Sequence, residues 1–597
     1  MKSPRRYAAP SHFCRCWLPI AALLCALVTI GAAGSARASE VDEDSLAWLV
    51  PADAALVVEV TDLAPAAEAF VTGPLGERLR RFPPMKRWWD QNRAGTLRMI
   101  DDVGRYLQVP PREIWNDVLG RRVLLAAWPP EIDPQQVALA DGEDAADTPP
   151  HRQPHTLLIL RSKRADTLAR LVEGFCAAQQ RFEQVQWTDQ KYRGVVIKHG
   201  ESKHRPDVYV ALIDDTAVVG DTRRVVEAAL DLSTGRTSRN ESLAATAAYR
   251  EAAAALPGDK TAWLFIPAPA WNAALAADAA NSSGRAQEEK QQFLALWRGL
   301  ESLSVTLRLD QQIAVQALAK FDQSRWPQPV QTLWNAVSGP TALADQMPAD
   351  CLAAFAGKID LAQLLDAVAG QPGQRQPEGW RLVRNCLAML AGDFGGCLVE
   401  GQGALPADWV LAASVVPQWK DASAASTPSE FLEVAIEELL RLAALQRPEL
   451  SVQRDVVGQR TLLVVKHVPT AGPVRHVALA VANNWLWASS SPAAVESGLA
   501  FDRERLTESA VFAGALPAEL AAPSSFIFVN AARCRTLLAD RGDQLASAIA
   551  AARHTDEQRV SRGLRQLHAV LELCDRALVA TQLTDRTARL AVTVAAD

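Results

Sequence analysis

One stretch of this chain occurs twice, and that repetition limits what it can fold into more than any other feature. Val208 to Leu230 alternates through Tyr209-Val210-Ala211-Leu212-Ile213, turns at Asp214-Asp215, resumes as Ala217-Val218-Val219-Gly220, and passes into the helical pattern Arg223 to Leu230. Such a run reads as hairpin, cap and helix. Arg475 to Leu499 repeats the order: Val477 to Val481, a turn at Asn483-Asn484, Trp485-Leu486-Trp487, then Ser489-Ser490-Ser491-Pro492 leading into a second helix. Asn-Asn tolerates the positive φ of a tight hairpin, serine caps the orphan amides of a helix, and proline suits its first position.

The repetition extends through both halves in one order. Pro51-Ala52-Asp53, the strand Ala55 to Val60 and a helix after Asp62 are answered by Pro348-Ala349-Asp350, a short apolar stretch and a helix after Asp360. In the second copy the strand candidate, Cys351 to Gly357, is poor in β-branched residues. Helical residues 80 to 119 precede the strand Arg122 to Trp128, and a helix through Leu382, Leu387 and Leu390 precedes Gly396 to Glu400. His155 to Leu160 with a helix from Ala165 answers Trp409 to Val416 with a helix from Ser429. Val195 to His199 matches Leu463 to His467, Ala262 to Ile266 matches Ser525 to Val529, and each half ends in an alternating hairpin. About seven elements recurring in order imply a tandem duplication.

Hairpin-linked strands imply antiparallel sheet, and their alternation implies a face covered by helices. The expected fold is therefore α+β, as two tandem homologous units, each a mainly antiparallel sheet with helices packed on it. Unit 1 spans 46–322 and unit 2 spans 343–597, joined by a proline-bearing linker at 323–342. Glu131 to Pro154, Asp278 to Gln292, Gln371 to Gly379 and Asp421 to Ser429 read as loops or insertions.

The N-terminus carries Lys2, Arg5, Arg6 and Arg15, an apolar run from Trp17 to Ile30, and Ala36-Arg37-Ala38. That order is a secretory signal peptide over 1–38, with cleavage expected after Ala38. The apolar run is shorter than the roughly 20 residues of a spanning helix, and no later stretch resembles one. The mature protein is expected in the periplasm or outside the cell. Removing five basic and no acidic residues takes the formal charge from −6 to −11, and an acidic chain without a basic stripe argues against a nucleic-acid partner. Six of nine cysteines remain, and in an oxidising compartment Cys386 with Cys397, or Cys534 with Cys574, are candidate bridges, the other reading being buried thiols.

The Pro51-Ala52-Asp53 opening, its strand and Asp62-Leu63 helix, and the hairpin-helix at Val208 to Leu230 resemble a group of uncharacterised secreted bacterial proteins built from an α+β domain of unknown function. The resemblance covers most of both units. It implies an extracytoplasmic α+β protein and carries no known catalytic residues.

Motifs for nucleophilic, phosphate-binding, dinucleotide-binding and metal-binding chemistry are missing from the sequence, so no catalytic residue, cofactor or metal ligand is assigned. Lys198-His199 and Lys466-His467 recur at strand ends, where histidine suits a base or a ligand, but duplication of a structural residue explains them as well. His151 and His155 are separated by prolines that bar a shared helical face. Asp53, Asp350, Asp62 and Asp360 each precede an element and read as turn or cap residues. Glu288-Glu289-Lys290 reads as a solvated helix face. Trp88 and Trp89, beside Lys86 and Arg87, are the candidate ligand platform, because aromatic faces bury much area on a sugar or peptide. Packing of that helix against the sheet is the plainer reading.

These features favour a non-catalytic periplasmic or secreted protein acting as a binding or scaffold module, with an unknown protein or envelope component as partner. A carrier of an apolar or cell-envelope ligand, held between sheet and helices, is the alternative, followed by an unrecognised hydrolase.

Overall fold

In the computed structural model the described residues are 42–130, 155–202, 206–310, 312–361, 389–401, 406–417, 427–447, 449–457, 460–467, 475–499 and 503–596. Contacts divide the chain between Ile313 and Ala314 into two compact units. Each is α+β, and every strand pairing with a recorded register is antiparallel. Among the described residues no helix is long and apolar enough to cross a membrane.

Unit 1 contains β1 (Leu56–Thr61), β2 (Arg122–Trp128), β3 (His155–Arg161), β4 (Gln186–Tyr192), β5 (Val195–Glu201), β6 (Val208–Ile213), β7 (Thr216–Gly220), β8 (Ala262–Pro267) and β9 (Leu300–Leu309). They lie side by side as β4-β5-β6-β7-β3-β2-β1-β8-β9. Its helices are α1 (Leu63–Thr72), α2 (Pro74–Arg81), α3 (Pro83–Leu107), α4 (Ala165–Glu183), α5 (Arg223–Ser233), α6 (Ala247–Ala255), α7 (Asn272–Ala280) and α8 (Arg285–Trp297). The sequence alternation implied one covered face, but the central strands are covered on both. Val57, Leu124, Ile159 and Val218 pack with Val226 and Leu230 of α5 and Tyr249 of α6. Val123, Leu158, Val210 and Val219 pack with Leu168 and Val172 of α4 on the opposite side. All five residues of β7 are buried, which is why Thr216 to Gly220 reads as a continuous apolar run.

Unit 2 contains most of β10 (Gln312–Phe321), then β11 (Ala353–Lys358), β12 (Leu390–Glu400), β13 (Ala407–Val415), β14 (Leu450–Val457), β15 (Arg460–His467), β16 (Arg475–Ala482), β17 (Trp485–Ser489), β18 (Ser525–Asn530), β19 (Arg576–Leu583) and β20 (Thr587–Ala595). Their order is β14-β15-β16-β17-β13-β12-β11-β18-β19-β20, of which the first nine repeat the order of unit 1 strand for strand, and β10 lies beside β20. Helices α9 (Gln328–Val337), α10 (Pro428–Gln446), α11 (Pro492–Leu499), α12 (Ala531–Arg553) and α13 (Glu557–Leu571) complete it.

The turn chemistry follows the residues. Asp214, Asn483 and Asn484 have φ of 49°, 54° and 61°, the left-handed region that Asn and Asp tolerate. Ser491 Oγ accepts the Ala494 amide at 3.2 Å and caps α11. Thr427 and Glu430 close a capping box on α10.

Several expectations are corrected. Residues 278–292, read as a loop, fall largely within α7 and α8; a helix with charges on most sides gives no apolar period. The 323–342 linker contains α9, whose Trp334 donates its indole N–H to Thr584 O at 2.8 Å and packs on Phe321 and Trp326, so this segment belongs to the body of unit 2. Leu390, assigned to a helix, opens β12. Residues 362–388, with Leu382, Leu387 and Cys386, and the insertion 131–154, with His151, lie outside the described residues, as do most of the 371–379 and 421–429 loops and the signal segment 1–38.

Candidate functional site

Trp88 and Trp89 lie on α3, and the structure turns them outward. They are 51% and 42% exposed, with ring centroids 6.4 Å apart and planes at 39°. The expected packing against the sheet does not occur. From Pro83 to Val103 every residue whose exposure is described is exposed. Pro83 and Pro84 start the helix, and Gln108 ends it in the left-handed region. Its 25 residues extend about 37 Å at 1.5 Å per residue.

Among the described residues, the contacts of α3 with the body of unit 1 lie at its last turn. Gly104 meets Pro111, Tyr106 stacks on Phe182 at 5.6 Å, and Leu107 crosses α4 at Gly174. A Cβ at Gly174 would lie 1.8 Å from the Leu107 carbonyl oxygen, so only glycine permits that approach.

The free part of α3 is patterned. Met85, Trp89, Asn92, Thr96, Met99 and Val103 follow steps of four and three, with Trp88 and Ile100 beside them. Those spacings bring the residues onto one side of a helix. Met85, Met99, Ile100 and Val103 are exposed like the tryptophans. The charges are uneven along the axis: residues 83–93 carry Lys86, Arg87 and Arg93 against Asp90, with Arg80 and Arg81 just ahead of them at the end of α2, whereas 94–107 carry Arg98 and Arg105 against Asp101 and Asp102. The tryptophan end is basic, in a chain whose formal charge is −6. In proteins most helical stability comes from packing an amphipathic face, and this one is left open to solvent. The connection that holds α3, Asp62 to Arg121 between β1 and β2, is about twice as long as Ile359 to Met389 between β11 and β12.

The buried polar groups of unit 1 form a second cluster, which the sequence did not flag. Glu59 Oε2 accepts from Ser45 Oγ at 2.8 Å, and Oε1 accepts from the Leu46 amide at 2.9 Å. Arg122 lies 3.5 Å from Oε1 and also pairs with Asp42. These bonds pin the turn at Leu46–Leu49 to the sheet and leave Glu59 well satisfied. Tyr249 is fully buried, and its hydroxyl faces Ser45 without a hydrogen bond of good geometry; burial, then the Glu59 charge, hold its pKa well above the ordinary value. Lys260 is half-buried with Nζ 4.2 Å from the Trp263 ring centroid, and burial lowers its pKa to about 8.

Strand register identifies the matching positions in unit 2. Glu59 stands opposite Leu124 and Trp263, whereas Ala356 stands opposite Gly395 and Phe526. Tyr249 packs on Trp263 and Phe265 at 4.4 and 5.2 Å, and Phe512 packs on Phe526 and Phe528 at 5.3 and 5.2 Å. Comparing these positions between the halves is the signal that finds the cluster.

The other polar candidates are structural. His199 uses both ring nitrogens, on Asp207 at 3.0 Å and Gln190 at 3.2 Å, and stacks on Tyr209 at 4.5 Å. Lys198 reaches Asp189 at 3.5 Å on the neighbouring strand. The side chain of His467 is not described. Asp53 accepts the Trp128 indole at 2.9 Å, and Asp62 is a turn residue at φ 47° without a side-chain cap bond. His155 lies 3.7 Å from Asp221, whose carboxyl is raised by burial against two bonds from Thr156. Cys176, Cys351, Cys397, Cys534 and Cys574 are not in disulfides, so the candidate bridge between Cys534 and Cys574 is not formed; Cys397 is likewise unbridged, and its candidate partner Cys386 lies outside the described residues. Among the described residues no group of three acidic, histidine or cysteine side chains is placed to hold a metal.

Unit 2 has two apolar features outside its core. A shallow hollow under α10, lined by Ile436, Leu463, Leu479, Val481, Leu486 and Glu433, has room for little more than one water molecule. That is far below the roughly 300–1,000 Å³ of ordinary ligand sites. Leu411, Phe355, Ile527 and Val579 lie in one row across β13, β11, β18 and β19 and are exposed. The chain between Leu361 and Met389 falls outside the described residues, and no function is attached to this face. No protein family, curated protein or solved structure compared with the chain matches it.

Proposed function

We propose that this chain is a non-catalytic, exported binding or scaffold protein, made by tandem duplication of one α+β unit, in which α3 of unit 1 is the binding element. The observation that carries the reading is the outward stripe of Met85, Trp88, Trp89, Met99, Ile100 and Val103 on a helix whose contacts with the body of unit 1, among the described residues, lie at its last turn. Large apolar side chains gathered on an exposed face mark an interaction surface more often than scattered ones do.

The matching strand order of the two halves and their matching aromatic clusters support the duplication. A duplicated frame leaves function to what one copy has in addition, and the longer β1–β2 connection is such a feature. The basic, apolar and small-residue order of residues 1–38 supports export, and kinship with uncharacterised secreted bacterial proteins forms part of the same proposal. The carrier reading has less support, because the hollow under α10 is small.

The test is photo-crosslinking in the protein's own host, with a photo-reactive amino acid in place of Asn92 on the stripe and, as control, in place of exposed Glu288 on α8. Adducts of any chemical class from position 92 and none from 288 are expected. Equal yields at both positions, or none at 92, would sink the assignment of α3.

A further inference from the structure

We infer that the occupant of the α3 stripe is an anionic lipid surface, met first by the basic, tryptophan-bearing end of the helix. This rests on the reading of α3 as the binding element and adds what it binds.

Three observations choose lipid over a protein helix. The first is the charge gradient: within α3, residues 83–93 hold three basic side chains and one acidic, while residues 94–107 are balanced, two against two. A protein partner would need a matching acidic patch at one end only, whereas an anionic headgroup layer presents negative charge wherever the helix tip lands. The second is placement. At 100° per residue Arg93 and Lys86 lie roughly 80° and 100° around from Met85, bordering the stripe, where long basic side chains reach headgroups while their methylenes cover apolar surface. The third is the stripe's composition. Trp88 and Trp89 lie side by side at the basic end, Met99, Ile100 and Val103 follow, and Asn92 and Thr96 lie between. Adjacent apolar pairs at 88–89 and 99–100 make the stripe wider than a two-position coiled-coil seam, and tryptophan with basic flanks is the composition of helices that lie in an interface.

The geometry permits such contact. From Pro83 to Val103 every residue whose exposure is described is exposed, so the helix can lie flat with its apolar side down without disturbing the sheet. No helix among the described residues is suited to spanning, so contact through α3 would be peripheral.

The experiment uses protein purified from its own host and sedimented with vesicles of phosphatidylcholine alone, or of phosphatidylcholine mixed with phosphatidylglycerol. Binding is expected with the mixed vesicles, weakening as salt shortens the screening length. Lys86→Gln with Arg93→Gln should weaken it roughly 25-fold at low salt, at about five-fold per basic residue. Trp88→Ala with Trp89→Ala should abolish binding, with an unchanged far-ultraviolet spectrum and melting temperature because both rings are exposed. Equal affinity for the two vesicle types, no sedimentation, or insensitivity to both double variants would overturn the lipid assignment. Self-association or a protein adduct lost on Trp88→Ala with Trp89→Ala, without vesicle binding, would also overturn it while leaving α3 as the binding element.

Discussion

Tyr249 and Glu59 can each be given the residue that unit 2 has at the matching place, and the two exchanges should act in opposite directions. Tyr249→Phe removes a hydroxyl that is fully buried and poorly bonded. A buried hydroxyl without a partner costs about 1–3 kcal/mol, so removing it should stabilise unit 1 by about 1 kcal/mol. Phe512 makes the same edge-on contact with Phe528 that Tyr249 makes with Phe265, so the ring fits without its oxygen. Glu59→Ala leaves Arg122, whose side chain is 13% exposed, without its buried partner and strips the acceptor from Ser45 and the Leu46 amide. Breaking a buried pair costs about 3–5 kcal/mol, and since Arg122 keeps Asp42 the lower end applies. Scanning calorimetry should show the unit 1 transition rising by about 2–4 °C for Tyr249→Phe and falling by at least twice that for Glu59→Ala. The unit 2 transition serves as internal reference. Destabilisation by Tyr249→Phe would mean that the hydroxyl has a partner, such as a buried water. Tolerance of Glu59→Ala would mean that its network does not hold the Leu46–Leu49 turn.

Three further outcomes follow from burial and contact. Lys260 titrates near pH 8 when folded against 10.5 ordinarily, so between those values the unfolded chain holds more protons and stability rises with pH. Lys260→Met should flatten that rise and stabilise the protein at pH 7 by about 1–2 kcal/mol, allowing for partial exposure; urea titrations across the window that keep their slope would refute it. Gly174→Ala places a methyl on the Leu107 carbonyl and should cost about 1–3 kcal/mol, with faster hydrogen exchange along the last turn of α3; unchanged exchange there would mean that the helix is anchored elsewhere. Burial pushes the Cys351 thiol to about 12 and raises Cys397 further, so a thiol reagent at pH 8 should leave both unlabelled until urea is added, as read by mass spectrometry; labelling in the folded state would refute their burial.

What the sequence made legible was local chemistry. Asn483-Asn484 predicts a tight turn because both residues tolerate positive φ, and both adopt it; Ser491 predicts a cap, and it caps. Strand order followed less directly, from the recurrence of elements rather than from any one of them. Burial was the point of failure. A period of three and four at Met85, Trp89, Met99 and Val103 announces an apolar side, but the same pattern serves a helix packed on a sheet and one facing solvent. The preference for packing at Trp88 and Trp89 came from frequency, and the structure reverses it. Glu59, Arg122 and Tyr249 were invisible for another reason: residues remote in the chain form one network only once strand register is known.

That register makes the comparison of the two halves informative about function. Where both units hold apolar residues, as at Phe265 and Phe528, the side chain serves the common core. Where they differ, a residue need not serve the frame, yet it can still serve its own unit: Glu59 and Arg122 lock the turn ahead of β1, and that alone accounts for them. Difference between the two units is therefore necessary for a functional assignment but not sufficient. The α3 stripe meets a stricter condition, because beyond its last turn it buries little of its own unit and still exposes two tryptophans. Structural need explains the anchor at Gly174 and leaves Trp88 and Trp89 without a use inside the described fold, and that residue of unexplained apolar surface directs the search for a partner to α3.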